Sequence, residues 1–221
     1  MQKSVVILGA TGLVGSALVE ELIQDPQVSE IRILTRRPLA FKHPKLQIFE
    51  TDLSNPDQLA FEDVAALYCC IGTTRKKTPD QKQYIAIDHG ITIAAAKAAK
   101  SKGVSEVHLI SAIGADVKSK IFYSRLKGEI ERDLIGLNFD RTLIYQPSIL
   151  IGPRSEKRFG EKIAQVLSPA FDLFLIGKLQ KYHSISAKEL AFAMHRLSFV
   201  ARKGAEVLVY PELCQKKLTF F

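Results

Sequence analysis

Short apolar runs alternate along the chain with longer stretches in which apolar residues recur every three or four positions. The short runs are typical of strands buried on both faces of a parallel sheet, and they cover residues 4–8, 31–34, 46–49, 65–71, 107–110 and 141–145. The longer stretches predict helices at 12–24, 81–102 and 121–135. Strands and helices that alternate in this way favour right-handed βαβ crossovers and hence an α/β fold with a parallel sheet.

The last third of the chain is less regular. Its pattern predicts helices near 161–167 and 187–200, and a strand at 207–210 that could add a seventh member to the sheet. The sequence has no internal repeat, low-complexity tract or Gly/Ser-rich linker. We therefore expect one domain over 1–221, in which about 150–221 packs over the strand ends as a small lobe.

A glycine-rich turn follows the first predicted strand and opens the first helix. Its glycines are Gly9, Gly12 and Gly15, a G-x-x-G-x-x-G spacing. Glycines allow a tight turn and a close approach of backbone to phosphate, and the helix N-terminus adds free N–H groups and a positive dipole end. The pattern predicts a nucleotide site, whereas a purely structural βα turn is the alternative.

The residues after the second and third strands bear on which nucleotide binds. Arg36 and Arg37 stand where an acid would take the ribose 2′-hydroxyl of NAD, and a guanidinium suits a 2′-phosphate. We therefore expect NADP(H) in preference to NAD(H), against the alternative of a solvated basic loop. Asp52 could meet the adenine amino group or cap a helix after Asn55. Gly72 follows the fourth strand and lets the chain pass close to the cofactor.

Three residues form a candidate catalytic set. Tyr123 and Lys127 are four apart on a predicted helix and share one face, and Ser111 ends the fifth strand. A nearby ammonium favours the phenolate, so Tyr123 could exchange a proton with a substrate oxygen while hydride moves to or from its carbon. Ser111 would hydrogen-bond the same oxygen, and Lys127 would also hold the nicotinamide ribose. Taken alone, Y-x-x-x-K is common by chance and usually reflects packing.

Several segments together resemble a known family. GATGLVG, CCIGTTRKK, SAIGAD, FYSRLKGEIE and FDRTLIYQPSILIGPR are similar to the atypical short-chain dehydrogenase/reductases, and within them to the oxidoreductase Tat-interacting-protein group and its small bacterial relatives. The resemblance covers 3–200 and implies a Rossmann sheet of order 3-2-1-4-5-6, a small C-terminal substrate region, NADP(H), and Tyr123 with Lys127 as the catalytic pair. It implies that the cofactor is lined by Gly9, Thr11, Gly12, Leu13, Val14, Arg36, Arg37, Asp52, Leu53, Gly72, Thr73, Pro147, Ser148 and Ile149.

Two positions depart from the family pattern. Ala112 follows Ser111 at a position where a second hydroxyl residue is common, so the sequence does not decide which hydroxyl faces the substrate. Gln146 stands before Pro147 in place of the usual arginine, which removes an ionic contact from the substrate region.

The distribution of charge narrows the choice of partner. The chain has a formal net charge of +8. The loops that leave the strand ends, residues 35–45, 71–80, 112–120 and 152–162, hold 13 Lys and Arg against 4 Asp and Glu, and the rest of the chain holds 18 against 19. This concentration favours an acidic cofactor over a nucleic acid or a membrane surface. A small-molecule substrate is expected, with either a monomer or a homodimer.

Other chemistry finds little support in the sequence. No H-E-x-x-H or paired histidine spacing predicts a metal site, and no G-x-S-x-G predicts a hydrolase. Cys69, Cys70 and Cys214 form no C-x-x-C pair, which fits a reducing compartment, and no signal-like or membrane-spanning run is present. We therefore expect a cytoplasmic location.

Two functions remain open at this point. The first is an NADP(H)-dependent oxidoreductase of the short-chain type that acts on a small carbonyl or alcohol. The second is an NADP(H)-binding regulatory protein that senses redox state with little or no catalysis, to which Ala112 and Gln146 point. A sugar-nucleotide epimerase or dehydratase is a weaker alternative, because the chain after Pro147 is short.

Overall fold

In a computed structural model of the chain, the described residues are 3–36, 38–39, 42–56, 58–152, 175–200 and 202–214. The strands are β1 (Lys3–Leu8), β2 (Val28–Thr35), β3 (Leu46–Glu50), β4 (Ala66–Cys69), β5 (Glu106–Ile110), β6 (Arg141–Tyr145), β7 (Leu150–Ile151), β8 (Ile185–Ser186) and β9 (Gly204–Leu208). The α-helices are α1 (Leu13–Gln24), α2 (Gln81–Ile85), α3 (Thr92–Ser101), α4 (Phe122–Ile135) and α5 (Ala187–Leu197). A π-helical turn spans Ala86–Ile91, and 3₁₀ turns span Gln58–Phe61 and Gly177–Tyr182.

The main sheet has seven strands in the order β3-β2-β1-β4-β5-β6-β9, and every neighbouring pair is parallel. This is a Rossmann-type α/β fold, and it confirms the predicted order 3-2-1-4-5-6 with a seventh strand. The seventh strand is β9, whose bounds differ from the predicted 207–210. A separate pair, β7 with β8, was not predicted.

Each central strand is buried on both faces. Val5 and Ile7 belong to a hydrophobic cluster that includes the buried sides of α1 and α5. Val6 and Leu8 belong to the opposite cluster, which includes buried residues of α3 and α4. Because alternate side chains of a strand point to opposite faces, two covered faces require a continuous apolar run, as the sequence has. The edge strand β3 is less buried.

The predicted helix over 81–102 is interrupted. The π-helical turn replaces its middle, and Thr92 Oγ1 donates a hydrogen bond to the Asp88 carbonyl oxygen at 2.7 Å in the first turn of α3. Asp88 itself is only 2% exposed, because the wider turn directs its side chain inwards. Tertiary contacts thus override the simple helical period here. The predicted helix near 161–167 lies outside the described residues, and the helix predicted at 187–200 ends at Leu197.

Residues after 150 contribute to the main layers as well as to β7 and β8. Helix α5 packs beside α1, and His195 Nε2 lies 2.5 Å from Asp25 Oδ2 between them. Strand β9 extends the sheet beyond β6. The organisation of 1–221 as one domain with a lobe at 150–221 stays a prediction. No helix among the described residues is long and apolar enough to cross a membrane.

Candidate nucleotide and catalytic site

The turn between β1 and α1 is shaped by glycines. Gly9 has φ of +80°, a conformation that side chains disfavour, and a Cβ there would lie 2.6 Å from the Cys70 carbonyl oxygen. A Cβ on Gly15 would collide with the Gly9 carbonyl oxygen. The Gly12 N–H donates to that same oxygen at 2.9 Å, which closes the turn. The turn therefore packs directly against the end of β4, and larger residues do not fit.

Helix α1 begins without a side-chain cap. Gly12 is its N-cap in an extended conformation and provides no side-chain hydrogen bond to the first turn. The first N–H groups of a helix lack partners within the helix and carry the positive end of its dipole. An uncapped helix start at a glycine turn fits the pyrophosphate of a dinucleotide.

A cleft of about 910 Å³ opens beside this helix start. Its walls come from the β1–α1 turn, the loop after β4, α2, the π-helical turn, the end of β5, the start of α4, and Leu150. The cleft brings together most of the predicted site residues, namely Thr11, Gly12, Leu13, Val14, Gly72, Thr73, Ser111, Tyr123 and Lys127.

Other predicted cofactor residues lie away from this lining. Arg36 is exposed just after β2, and Arg37 lies outside the described residues. Pro147 is buried, and its carbonyl oxygen accepts a hydrogen bond from the Ile113 N–H at 3.0 Å. Ser148 is half-buried and Ile149 exposed, and they lead into β7.

The loop after β3 holds the two remaining predicted cofactor residues. The Asp52 carboxylate accepts from the Ser54 N–H at 3.0 Å and from its hydroxyl at 2.8 Å, and these hydrogen bonds lower the pKa of Asp52. Asp52 caps no α-helix among the described residues, because the next helical segment along the chain is the 3₁₀ turn at Gln58–Phe61. Leu53 is 5% exposed and packs in the hydrophobic cluster with Leu8.

An aspartate that sequence reasoning missed lines the cleft. Asp88 Oδ2 is 3.1 Å from Lys127 Nζ, and Asp88 Oδ1 accepts the Thr73 N–H at 2.7 Å. The carboxylate thereby joins the loop after β4 to helix α4. An acid inside an Ala-rich helix is usually solvated, and no spacing in the sequence marks the π-helical turn that buries this one. The only available signal was an acid two residues before a glycine, in Asp88-His89-Gly90.

Tyr123 stands at the mouth of the cleft and is 42% exposed. The Lys127 Nζ atom lies 5.9 Å from the centre of the Tyr123 ring, as the i, i+4 spacing requires. A lysine ammonium has three N–H donors, and the ion pair with Asp88 leaves donors for other groups in the cleft.

Ser111 is hydrogen-bonded away from the cleft. Its hydroxyl donates to Glu131 Oε1, and Gln146 Nε2 donates to both Glu131 oxygens at 2.9 and 3.1 Å. Burial raises the pKa of Glu131, although the hydrogen bonds and the Lys127 ammonium oppose the shift. Gln146, at the position of the usual arginine, thus binds the buried carboxylate as a neutral donor.

No group of three or more His, Cys, Asp or Glu side chains in the described part of the chain is arranged to hold a metal ion. Cys69 and Cys70 are free, and burial raises the pKa of the Cys69 thiol to about 12, so this thiol is a poor nucleophile at neutral pH.

Comparison with other proteins agrees with the geometry. A family model described as NAD(P)H-binding matches residues 9–137. "Protein FMP52, mitochondrial" of Candida albicans is 39% identical over 173 residues, which cover 74% of this chain and 75% of that protein. "Protein HTATIP2" of Rattus norvegicus is 32% identical over 168 residues, 74% of this chain and 69% of that protein. The second match confirms the resemblance to the Tat-interacting-protein group.

Solved structures share the fold at low identity. A UDP-N-acetylglucosamine 4-epimerase from Methanobrevibacter ruminantium M1, in complex with UDP-N-acetylmuramic acid, has a TM-score of 0.70 and 18% identity, with 94% of this chain and 76% of that chain covered. MoeE5 in complex with UDP-glucose and NAD has a TM-score of 0.71 and 17% identity, with coverage of 93% and 75%. At such identity the likeness supports the fold alone.

The relatives also correct one expectation. The prediction of a cytoplasmic location is wrong, because FMP52 proteins from several fungi carry names that assign them to mitochondria. Sparse cysteines do not distinguish one reducing compartment from another, so they could not carry that prediction. The family model and the relatives together show that the chain belongs to the NAD(P)H-binding family.

Proposed function

We propose that this protein is an NADP(H)-dependent oxidoreductase of the short-chain type, which moves a hydride to or from a small carbonyl or alcohol. One observation carries the proposal. Tyr123 and Lys127 line the same cleft as the uncapped start of α1, so a proton donor and a dinucleotide site share one space. When bound, the nicotinamide would supply the hydride.

The cofactor would lie along the carboxyl ends of the strands. The glycine turn and the first N–H groups of α1 would hold the pyrophosphate. Arg36, with Arg37, would bind the 2′-phosphate, and the ionised Asp52 would accept a hydrogen bond from the adenine amino group beside Leu53. The nicotinamide end would be held by Gly72, Thr73, Lys127, Pro147, Ser148 and Ile149.

Tyr123 would exchange the proton at the substrate oxygen. Its exposure at the cleft mouth leaves the phenol free to meet a ligand, and the ammonium of Lys127 lies beneath its ring. Asp88 holds that ammonium in place, so Lys127 can direct its remaining N–H groups at the phenol or the ribose. A positioned acid of this kind contributes about 10²- to 10⁴-fold to a rate.

A binding and turnover experiment tests this function. The chain has no Trp, so the fluorescence of reduced nicotinamide reports NADPH and NADH binding without energy transfer from indole. A panel of small aldehydes and ketones is then screened for oxidation of NADPH. We expect Tyr123→Phe to bind NADPH normally but to lose at least about 100-fold in kcat.

Tyr182→Phe is the matched control, because Tyr182 is also 42% exposed but does not line the cleft. It should keep full activity. Equal turnover by Tyr123→Phe and the parent protein would refute Tyr123 as the acid.

A regulatory role is the second candidate, and one observation favours it. Both Ser111 and Lys127 are bound to buried carboxylates, so two members of the catalytic set have partners within the protein. NADPH binding with no turnover of any carbonyl or alcohol, together with a partner whose affinity differs between NADPH and NADP⁺, would support this role instead.

A further inference from the structure

Ser111 has only one proton to donate, and Glu131 is the hydrogen-bond partner of its hydroxyl. A serine hydroxyl offers one O–H donor and two acceptor lone pairs. The Ser111 O–H donates to Glu131 Oε1, while the residue also lines the cleft. A substrate that enters the cleft therefore meets an acceptor at Ser111 rather than a donor.

The hydrogen bonds around Glu131 fit an ionised carboxylate, whereas its burial acts in the opposite direction. Three hydrogen bonds converge on its two oxygens, one from Ser111 and two from the Gln146 amide nitrogen. The Gln146 amide nitrogen can only donate and a carboxylate can only accept, so the ionised form of Glu131 satisfies both Gln146 contacts. A protonated carboxyl group would instead bring its own O–H into the same space. All three residues are less than 10% exposed, so water does not replace these partners.

The charged groups near Glu131 agree with this arrangement. Lys127, one turn earlier on α4, supplies positive charge, and Asp88 from the π-helical turn is its ion-pair partner. The ends of β5 and β6 contribute the neutral side chains of Ser111 and Gln146. Two residues further along α4, Asp133 accepts from His89 and Arg132.

We propose that Glu131 is a positioning residue that accepts the O–H hydrogen bond of Ser111, so that Ser111 acts as a specificity-determining acceptor in the cleft. Tyr123 exchanges the proton at the reacting oxygen, and Ser111 binds a second polar group of the ligand, a hydroxyl or an N–H. The substrates are then hydroxy-carbonyls, diols or their amino analogues rather than plain ketones. The substrate class rests on the proposed function, whereas the direction of the Ser111 hydrogen bond does not.

The direction of the hydrogen bond can be measured without turnover. Protein labelled with ¹³C at the glutamate carboxyl carbon is titrated by NMR, and Glu131→Gln assigns the signal. A hydrogen-bond donor to a carboxylate stabilises its charged form and so lowers its pKa. Ser111→Ala should therefore raise the pKa of Glu131. Ser111→Thr, which keeps the hydroxyl, should return that pKa to the parent value. Ser105→Ala, just before β5 and exposed, is the matched control and should change nothing.

A fall in the pKa of Glu131, or no change, in Ser111→Ala would overturn the proposal. It would mean that Ser111 accepts from Glu131 or does not contact it, and that its proton is available to the cleft.

The substrate class is tested with two ketones of equal size, hydroxyacetone and butanone, each reduced with NADPH. The parent protein should prefer hydroxyacetone by at least about tenfold in kcat/KM, since a site built to bind a hydroxyl discriminates strongly against its absence. Ser111→Ala should lose that preference and Ser111→Thr should keep it. A preference that survives in Ser111→Ala would refute the role of Ser111. Failure to reduce either ketone would count against the proposed function for small carbonyls, while the NMR titration still decides the direction of the hydrogen bond.

Discussion

The ammonium of Lys127 and the carboxylate of Asp88 lie 3.1 Å apart, with side chains only 7% and 1% exposed. Such a pair is costly to break, because removal of one partner leaves the other charge buried and uncompensated. Asp88 also accepts from the backbone of Thr73, so the pair fixes the loop after β4 against α4.

Asp88→Asn should therefore lower the free energy of unfolding by about 3 kcal/mol or more. Chemical denaturation monitored by circular dichroism measures the loss. Glu62→Gln is the control, because Glu62 and Lys102 form an ion pair of similar length, 2.9 Å, at an exposed site. Pairs of that kind contribute about 1 kcal/mol or less. Equal losses in the two variants would show that burial of the Asp88 pair has no energetic role.

Gly15→Ala should disrupt the glycine turn between β1 and α1 and thereby weaken nucleotide binding. The new methyl group would collide with the Gly9 carbonyl oxygen, so either the turn or α1 must move away from β4. We expect the Kd for NADPH to rise at least about tenfold, with a loss of about 1–3 kcal/mol in stability. Isothermal titration and thermal unfolding provide the two values.

Gly136→Ala is the comparison for that variant, since a Cβ there has its nearest neighbour 3.4 Å away, and φ is −61°. It should bind NADPH normally. Unchanged affinity in Gly15→Ala would place the phosphates elsewhere.

The stability of the protein should depend on pH through Glu131. Burial raises the folded-state pKa of this acid, so the fold favours the protonated form more than the unfolded chain does. Its stabilising contribution is full below the unfolded-state pKa of about 4.5 and is lost as the pH rises through the folded-state pKa. The unfolding free energy of the parent protein, relative to that of Glu131→Gln, should thus fall from acidic to neutral pH. The fall should be about 1.4 kcal/mol for every tenfold difference between the acid dissociation constants of the folded and unfolded states. A difference between the two proteins that stays constant or rises over that range would contradict the raised pKa.

Arg36→Ala should weaken NADPH binding more than NADH binding. A charge-assisted hydrogen bond to phosphate contributes about 1.5–3 kcal/mol, so the preference for NADPH should fall by about tenfold or more. The same affinities measured at increasing salt should converge, because an exposed ion pair is screened. Arg132→Ala, at an exposed side chain of α4, should leave both affinities unchanged. Loss of NADPH and NADH binding to the same extent would argue against a 2′-phosphate contact.

The sequence was enough to predict the parallel sheet but not the side-chain contacts inside the cleft. The buried run of β1 and the glycines after it predict the first βα unit, since both patterns are local. Asp88 depends on a π-helical turn that helical periodicity cannot show, and the binding of Ser111 to Glu131 depends on two segments 20 residues apart that meet only in the folded protein. Gln146 stands out in the sequence as unusual, but its role as a donor required the position of Glu131.

The contact of α1 with α5 has a consequence for synthesis of the chain. Asp25 and His195 are separated by 170 residues, and the buried face of α1 is completed only by α5. The glycine turn, β1 and α1 leave the ribosome before α5, so one side of α1 stays uncovered until residue 197 has been made. The nascent chain therefore exposes an apolar surface of α1 until α5 has been made, and a chaperone that binds apolar helices could bind it during that interval.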